Sequence, residues 1–252
     1  MRLAIHQSGE VATRAGRILL AEKDLTGLGL VDKFPTESDP RLEHVEVLAT
    51  YDALLTDSAD PAGHIEMALT AGISCVVWVD ADEAHAEYEA AFADADLRLL
   101  TGSNLATGIA PALTAHEIAA ADTVLEVTTA WTEPGSPRRR GEPLPFPEPV
   151  GSRWGEPRET PHADRAYVAR VSGEWAAAMA RVTGASPTGV VTRIVGVSDL
   201  AVHLEALAFA TGAALVSQYP PGGSHPADLA DEYLARALDM GLDVAAHTHQ
   251  GN

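Results

Sequence analysis

The run Leu3-Ala4-Ile5-His6-Gln7-Ser8-Gly9-Glu10-Val11-Ala12 constrains this chain more than any other stretch. Apolar residues lead into a tight turn at Gly9, and a helical pattern follows over 10–22. A strand that turns through glycine into a helix aims the open N–H groups of the helix start at one point, where an anion is stabilised. Dinucleotide-binding turns have the spacing G-x-G-x-x-G/A. Here Gln7 stands at the first glycine, Gly9 at the second and Ala12 at the third. Gln7, Ser8, Gly9, Val11 and Ala12 are therefore the candidate phosphate-binding residues. Gly9 suits a backbone that must approach a pyrophosphate without a side chain in the way. Glu10 complements the helix dipole but opposes a phosphate at the same place, and Arg14, one turn on, offsets it.

A second apolar run, Leu28-Gly29-Leu30-Val31, ends at Asp32, about 20 residues beyond the turn as the fingerprint expects. An acid there accepts hydrogen bonds from a ribose 2′-hydroxyl. Lys33 follows it directly and would suit a 2′-phosphate, so NAD and NADP both remain open. A flavodoxin-like or other doubly wound sheet that binds nothing at this turn fits the same residues.

The balance of 36 acidic against 17 basic residues, a formal net charge of −19, repels nucleic acid and anionic membrane surfaces. No apolar run approaches the roughly 18 residues of a membrane helix, and the first residues lack the apolar core of a signal peptide. The lone Cys75 has neither a disulfide partner nor metal-ligand spacing. The expectation is a cytoplasmic globular protein of one large or two modest domains, without a metal, a nucleic acid or a membrane as partner.

The first half alternates strand-like and helix-like segments. Strands are expected near 2–6, 27–31, 45–48, 52–56, 74–79 and 97–101, and helices near 10–22, 61–71, 82–93 and 107–121. That alternation implies an α/β fold, a Rossmann-like doubly wound parallel sheet with its ligand edge at the strand C-termini. After Asp122 the pattern changes to a smaller α+β domain. A strand at 124–131 precedes a Pro-, Gly- and Arg-rich loop over 132–160. Its Glu142–Pro149 run excludes helix and central strand, because proline lacks a donor and fixes φ. A helix at 173–182, strands at 189–197 and 213–218, and helices at 199–211 and 226–240 complete the reading. The tail His247-Thr248-His249 reads as frayed. The domain boundaries so expected are 1–122, 123–225 and 226–252, the last a helix returning to the first domain.

Three places resemble the dihydrodipicolinate reductase group of two-domain NAD(P)-dependent oxidoreductases. They are the βα turn with Arg14–Leu19, then Tyr51–Ser58 followed by Pro61 and the helix from His64, and Thr101-Gly102-Ser103-Asn104-Leu105-Ala106-Thr107-Gly108-Ile109. The last is similar to the family's Asn-x-Ser-x-Gly turn beside the nicotinamide. The chain departs from the family in having Val79-Asp80-Ala81-Asp82 for its Gly-Thr-Thr-Gly turn. It also has Thr129-Ala130-Trp131-Thr132-Glu133-Pro134-Gly135 for its His-His pair and catalytic lysine, and no lysine follows Lys33. The resemblance implies a Rossmann-like domain that binds NAD(P), and excludes a lysine general acid.

Asp57 and Ser58, at a strand C-terminus, fit contact with ribose or nicotinamide and equally fit a cap for the helix after Pro61. Asn104 fits a carboxamide contact or a cap for helix 107–121. Histidine titrates near neutrality, and of His116, His162, His203 and His225 the first and last are the candidate proton carriers: His116 follows the Asn104 turn, and His225 sits in a loop. Arg138-Arg139-Arg140 is the one concentrated basic patch in an acidic chain and suits a carboxylate or phosphate. The expected activity is hydride transfer between a nicotinamide cofactor and a small anionic substrate, in a homo-oligomer. A silent relative that keeps the fold for nucleotide sensing or scaffolding is the alternative.

Overall fold

The computed structural model describes residues 1–6, 9–31, 39–186 and 189–251. The chain divides into two compact units, Met1–Asn104 with Glu205–Asp228, and Leu105–Leu204 with Leu229–Asn252. The chain returns to the first unit within a helix, at Glu205.

The first unit is built on a seven-stranded parallel sheet. In chain order its strands are β1 (Arg2–His6), β2 (Gly27–Val31), β3 (Leu42–His44), β4 (Ala53–Thr56), β5 (Ser74–Val77), β6 (Arg98–Leu100) and, after the excursion through the second unit, β13 (Gly222–Ser224). The spatial order is β13-β6-β5-β4-β1-β2-β3. Helices α1 (Glu10–Leu20), α2 (Ala62–Ala71) and α3 (Asp82–Asp94) are the crossovers. In α1, Ala12, Ala15, Gly16 and Leu19 are buried at one-face spacing. Helix α2 ends at Gly72, whose φ of 71° is the left-handed conformation that closes a helix.

Strands β2, β4 and β5 are buried along their whole length and β1 at its three middle residues, as expected where helices cover both faces of a parallel sheet. Gly29 in β2 is there for packing. A Cβ at Gly29 would lie 2.4 Å from the Tyr51 hydroxyl, so the Tyr51 ring rests on bare backbone. Tyr51 donates to Glu43 Oε1 at 3.1 Å, and Arg2 stacks 4.7 Å from the ring centroid. Burial and Glu43 push the Tyr51 phenol up to about 12.

The expected strand at 45–48 is displaced: the strand is Leu42–His44, and Leu48–Thr50 is a 3-10 turn. The expected strand at 213–218 is absent too. Helix α5 (Ala201–Leu215) runs on to Leu215, and Val216–Gln218 is a 3-10 turn. From Ala206 to Thr211 every residue is fully buried, and an apolar run covered all round carries no period to tell helix from strand.

The second unit holds a seven-stranded mixed sheet. Its strands are β7 (Val124–Pro134), β8 (Glu142–Pro145), β9 (Ser152–Arg158), β10 (Arg165–Val171), β11 (Trp175–Ser186), β12 (Gly189–Leu200) and β14 (Ala245–Gly251). They lie in the order β14-β12-β11-β7-β10-β9-β8, with only β7 and β10 parallel. Helices α4 (Ala110–Ala119) and α6 (Ala230–Asp239) complete the unit, and α4 packs on β7 and β11. The expected helix at 173–182 is strand β11. Its alanines Ala176, Ala177, Ala178 and Ala180 are buried between β12 and β7, so sheet packing overrides alanine's helix preference.

The segment 132–160 is not one irregular loop. It carries β8 and β9, and Pro143 and Pro145 sit on the edge strand β8, where one side needs no partner. Leu144, Phe146 and Val150 of this segment pack on Tyr167, Ala169, Val171, Ala177 and Met179. The tail read as frayed is strand β14, paired with β12 from Val190↔Gly251 to Gly196↔Ala245.

Candidate active site at the sheet's carboxyl edge

Strand order reverses between β1 and β4: the chain first builds outward through β2 and β3, then returns to the other side of β1. Ligands of such sheets lie outside the strand C-termini at this switch point. Gly9 follows β1 there, and Asp57 follows β4. The Gly9 amide donates to Asp57 Oδ2 at 3.0 Å and the Ala12 amide at 3.4 Å. Asp57 is buried, and a Cβ at Gly9 would come within 3.2 Å of its carboxylate. The glycine is thus required by a close approach, and the group approaching it is a protein carboxylate. Asp57 caps α1 rather than α2; Ser58 instead closes its own turn, its hydroxyl donating to Asp60 O at 2.8 Å. The Glu10 and Val11 amides, also in the first turn of α1, have no acceptor within the helix.

Beside this turn, His6 at the end of β1 meets His64 of α2 with ring centroids 4.2 Å apart, and His6 Nδ1 is buried without a hydrogen-bond partner among the described residues. Between α2 and α3 the edge is acidic: Asp60, Asp80, Asp82, Glu83 and Glu87 line one shallow hollow. Burial, and Asp82 beside it, raise the Asp80 carboxyl above the usual carboxylate range.

Further along the edge, Asn104 Nδ2 donates to Trp78 O at 2.9 Å, and Trp78 Nε1 donates to Glu205 Oε2 at 2.9 Å. Asn104 therefore braces the β5 and β6 loops against each other. Past the end of β6, Thr101 is fully buried with its hydroxyl 2.8 Å from His85 Nδ1 and 3.3 Å from His225 Nδ1. The two imidazoles stack with centroids 4.5 Å apart and planes 10° from parallel. His225 is held at its backbone by Asp228, whose Oδ2 accepts from His225 N at 2.7 Å. Burial and the His225 charge hold the His85 imidazole below the usual histidine range.

Of the residues expected from the sequence, Gln7, Ser8, Asp32 and Lys33 lie outside the described residues. Gly9, Val11, Ala12, Asp57, Ser58, Asn104 and His225 all lie on or beside the carboxyl edge of the first unit's sheet. His116 belongs to the second unit, where its Nδ1 is 2.9 Å from Asp231 Oδ1 on α6. Arg138, Arg139 and Arg140 are exposed ahead of β8 in the same unit. Among the described residues, no group of His, Cys, Asp or Glu is placed to hold a metal ion. Cys75 is fully buried in β5, and burial pushes its thiol up to about 12. Sequence reasoning missed His85 and Thr101. Thr101 opens the Thr101–Ile109 stretch but was given no role there, and His85 stands in no motif; they meet His225 only because β13 returns to β6 after residues 105–204 have formed most of the second unit.

No protein-family model and no curated protein matches the sequence. Solved structures do. The apo saccharopine dehydrogenase (L-Glu forming) of Saccharomyces cerevisiae superposes with a TM-score of 0.69 at 9% identity, over 98% of this chain and 99% of that one. The homospermidine synthase of Legionella pneumophila in complex with NAD gives 0.63 at 8% identity, over 98% and 91%. The dipicolinate-bound dihydrodipicolinate reductase of Paenisporosarcina sp. TG-14 gives 0.55 at 12%, over 91% and 99%. These likenesses show the fold: a Rossmann-like sheet domain joined to a second, mixed-sheet domain. The likeness to the dihydrodipicolinate reductase group read from the sequence extends to that fold. Among the described residues, no helix is long and apolar enough to cross a membrane.

Proposed function

We propose that the carboxyl edge of the first unit binds NAD or NADP and that the protein transfers a hydride between that cofactor and a small anionic substrate. The observation that carries the reading is the glycine turn at the β1/β4 switch point, with helix α1 starting directly from it. A pyrophosphate fits the Glu10 and Val11 amides at the start of α1, between the Gly9 and Ala12 amides that Asp57 holds. The expected holders are Gln7, Ser8, Gly9, Val11 and Ala12 for the phosphates, Asp32 and Lys33 for the adenosine ribose, and Asn104 and Ser58 nearer the nicotinamide. The nicotinamide, once bound, supplies or accepts the hydride.

The protein's own part is orientation and the accompanying proton. His225 stands on this edge with a hydrogen-bonded backbone and is the proton carrier; His116, paired with Asp231, is the second candidate. Arg138, Arg139 and Arg140 offer the guanidinium charge for a substrate carboxylate. The neighbouring reductase is dipicolinate-bound, and dipicolinate is a small dianion. We also expect a homo-oligomer, assembled through the second unit's open sheet.

The carboxylates of Asp57 and Glu10 at one helix start favour a second reading, a relative that keeps the fold and has lost catalysis. Titration of the purified protein with NADH and NADPH separates the two. Binding of either, read by nicotinamide fluorescence or thermal stabilisation, supports the oxidoreductase. No response at millimolar cofactor overturns it.

A further inference from the structure

Between the two Nδ1 atoms of His85 and His225 stands a single hydroxyl, that of Thr101. A threonine hydroxyl has one proton to donate, while its oxygen can accept another. For both contacts to be hydrogen bonds, the hydroxyl donates to one Nδ1 and accepts an N–H from the other. The two histidines must then hold opposite tautomers. One carries its proton on Nε2 and the other on Nδ1.

The packing around this bridge admits little else. Thr101 is fully buried, and its amide donates to Ser224 O at 3.2 Å, which ties β6 to the strand that delivers His225. His85 is anchored in the first turn of α3, its amide donating to Ala81 O at 2.7 Å. Gly223 has the space of its missing side chain filled by His85: a Cβ there would lie 2.3 Å from His85 Nε2. Glycine at 223 is what lets the second imidazole lie flat on the first. Two stacked imidazolium rings 4.5 Å apart repel, so the pair favours one positive charge at a time. Asp82, Glu89 and Asp228 act on His85, and Asp80 feels His225; these carboxylates stabilise that single charge.

We propose that His225, Thr101 and His85 form a one-proton relay between a ligand on the carboxyl edge and solvent. It rests on the reading that hydride transfer takes place at this edge. Oxidation of an alcohol or amine carbon by a nicotinamide releases one proton for each hydride moved. In the relay, His225 takes that proton on Nε2 and passes its Nδ1 proton to Thr101. Thr101 passes its own hydroxyl proton to His85 Nδ1, and His85 releases its Nε2 proton to water. Each of the three residues gains one proton and loses one, and the chain of hydrogen bonds ends with its polarity reversed. In reduction the same steps run backwards. Thr101 and His85 are positioning and relay residues; His225 alone meets the substrate.

The test begins without cofactor. Nitrogen-15 NMR of the full chain at neutral pH should show His85 and His225 as opposite tautomers. Thr101→Ser should keep that pattern, and Thr101→Val should abolish it. In His225→Gln, the His85 titration should move upward, because a neighbouring charge has gone. Identical tautomers in the unaltered protein, or no response to Thr101→Val, overturn the relay whether or not a nicotinamide binds. Where NADH or NADPH supports turnover, Thr101→Val should lower kcat by about 10²-fold with little change in KM, and Thr101→Ser should restore it. Intact opposite tautomers with no cofactor binding would sink the oxidoreductase reading and leave the hydrogen-bond assignment standing, but overturn the relay's catalytic role.

Discussion

Replacing Asp57 with asparagine should move stability and ligand affinity in opposite directions. The carboxylate accepts from the Gly9 and Ala12 amides at the start of α1, at 3.0 and 3.4 Å. Asparagine keeps the shape and one acceptor oxygen but removes the charge. A negative charge at a partly buried helix N-terminus contributes about 1 kcal/mol, and the longer of the two bonds adds little. Unfolding of the variant should therefore come about 1 kcal/mol sooner, with faster hydrogen exchange at the Gly9 and Ala12 amides. A pyrophosphate on the adjoining amides would sit about 6 Å from the lost charge, where repulsion is worth about 3 kcal/mol per unit charge at an effective dielectric of about 20. Dinucleotide binding should tighten by up to about 10²-fold, measured by fluorescence titration with NADH and NADPH. Looser binding in Asp57→Asn would refute the argument, since it would make Asp57 a contact to the ligand rather than a competitor for the helix start.

Other expectations follow from single contacts. Gly29→Ala drives a methyl into the Tyr51 ring and against Val45 Cγ2, and should cost about 2–3 kcal/mol in denaturant unfolding, only part of it recovered by adding Tyr51→Leu. In the second unit Arg193 Nε donates to Glu117 Oε2 at 2.6 Å and its Nη2 to Oε1 at 3.2 Å, with Glu117 only 2% exposed. Arg193→Met leaves that carboxylate buried and alone; the loss should be about 3 kcal/mol, at the low end for buried pairs because Arg193 itself is part-exposed. The His85 imidazole is held below its ordinary range by burial and by His225, while the unfolded chain protonates at its ordinary value near 6.5. The folded protein therefore binds fewer protons than the unfolded one as pH falls through that value, and stability is lost in that window. His85→Gln should flatten the decline between about pH 7 and 5 in urea titrations; an unchanged slope would show that His85 titrates freely. Asp80 works with the opposite sign at more acid pH, because its folded value is raised.

Legibility in the sequence tracked how local the determining physics is. Strands β1, β2, β4 and β5 could be read because an apolar run between glycine, proline or polar breaks reports burial on both faces, and helix α2 could be read from Pro61 and Gly72. The turn at Gly9 was legible for the same reason. What the sequence did not carry was the neighbour that makes Gly9 necessary, because Asp57 follows a strand that reaches β1 only through the parallel crossover. Gly29 and Gly223 repeat the lesson: each missing Cβ is filled by a ring from elsewhere, Tyr51 in one case and His85 in the other. In the second unit the alanines of β11 favour helix taken alone, and only two flanking strands, one contributed from beyond residue 188 and one from before residue 135, turn them into sheet. His225 was singled out by its loop and by its chemistry. Its partners were hidden, since a 3-residue strand, β13, joins a sheet whose other members were complete 122 residues earlier at Leu100, Gly222 lying that far beyond it. A site of this kind assembles from chain ends of separate elements, so its residue types are visible in the sequence while their company is a property of the topology alone.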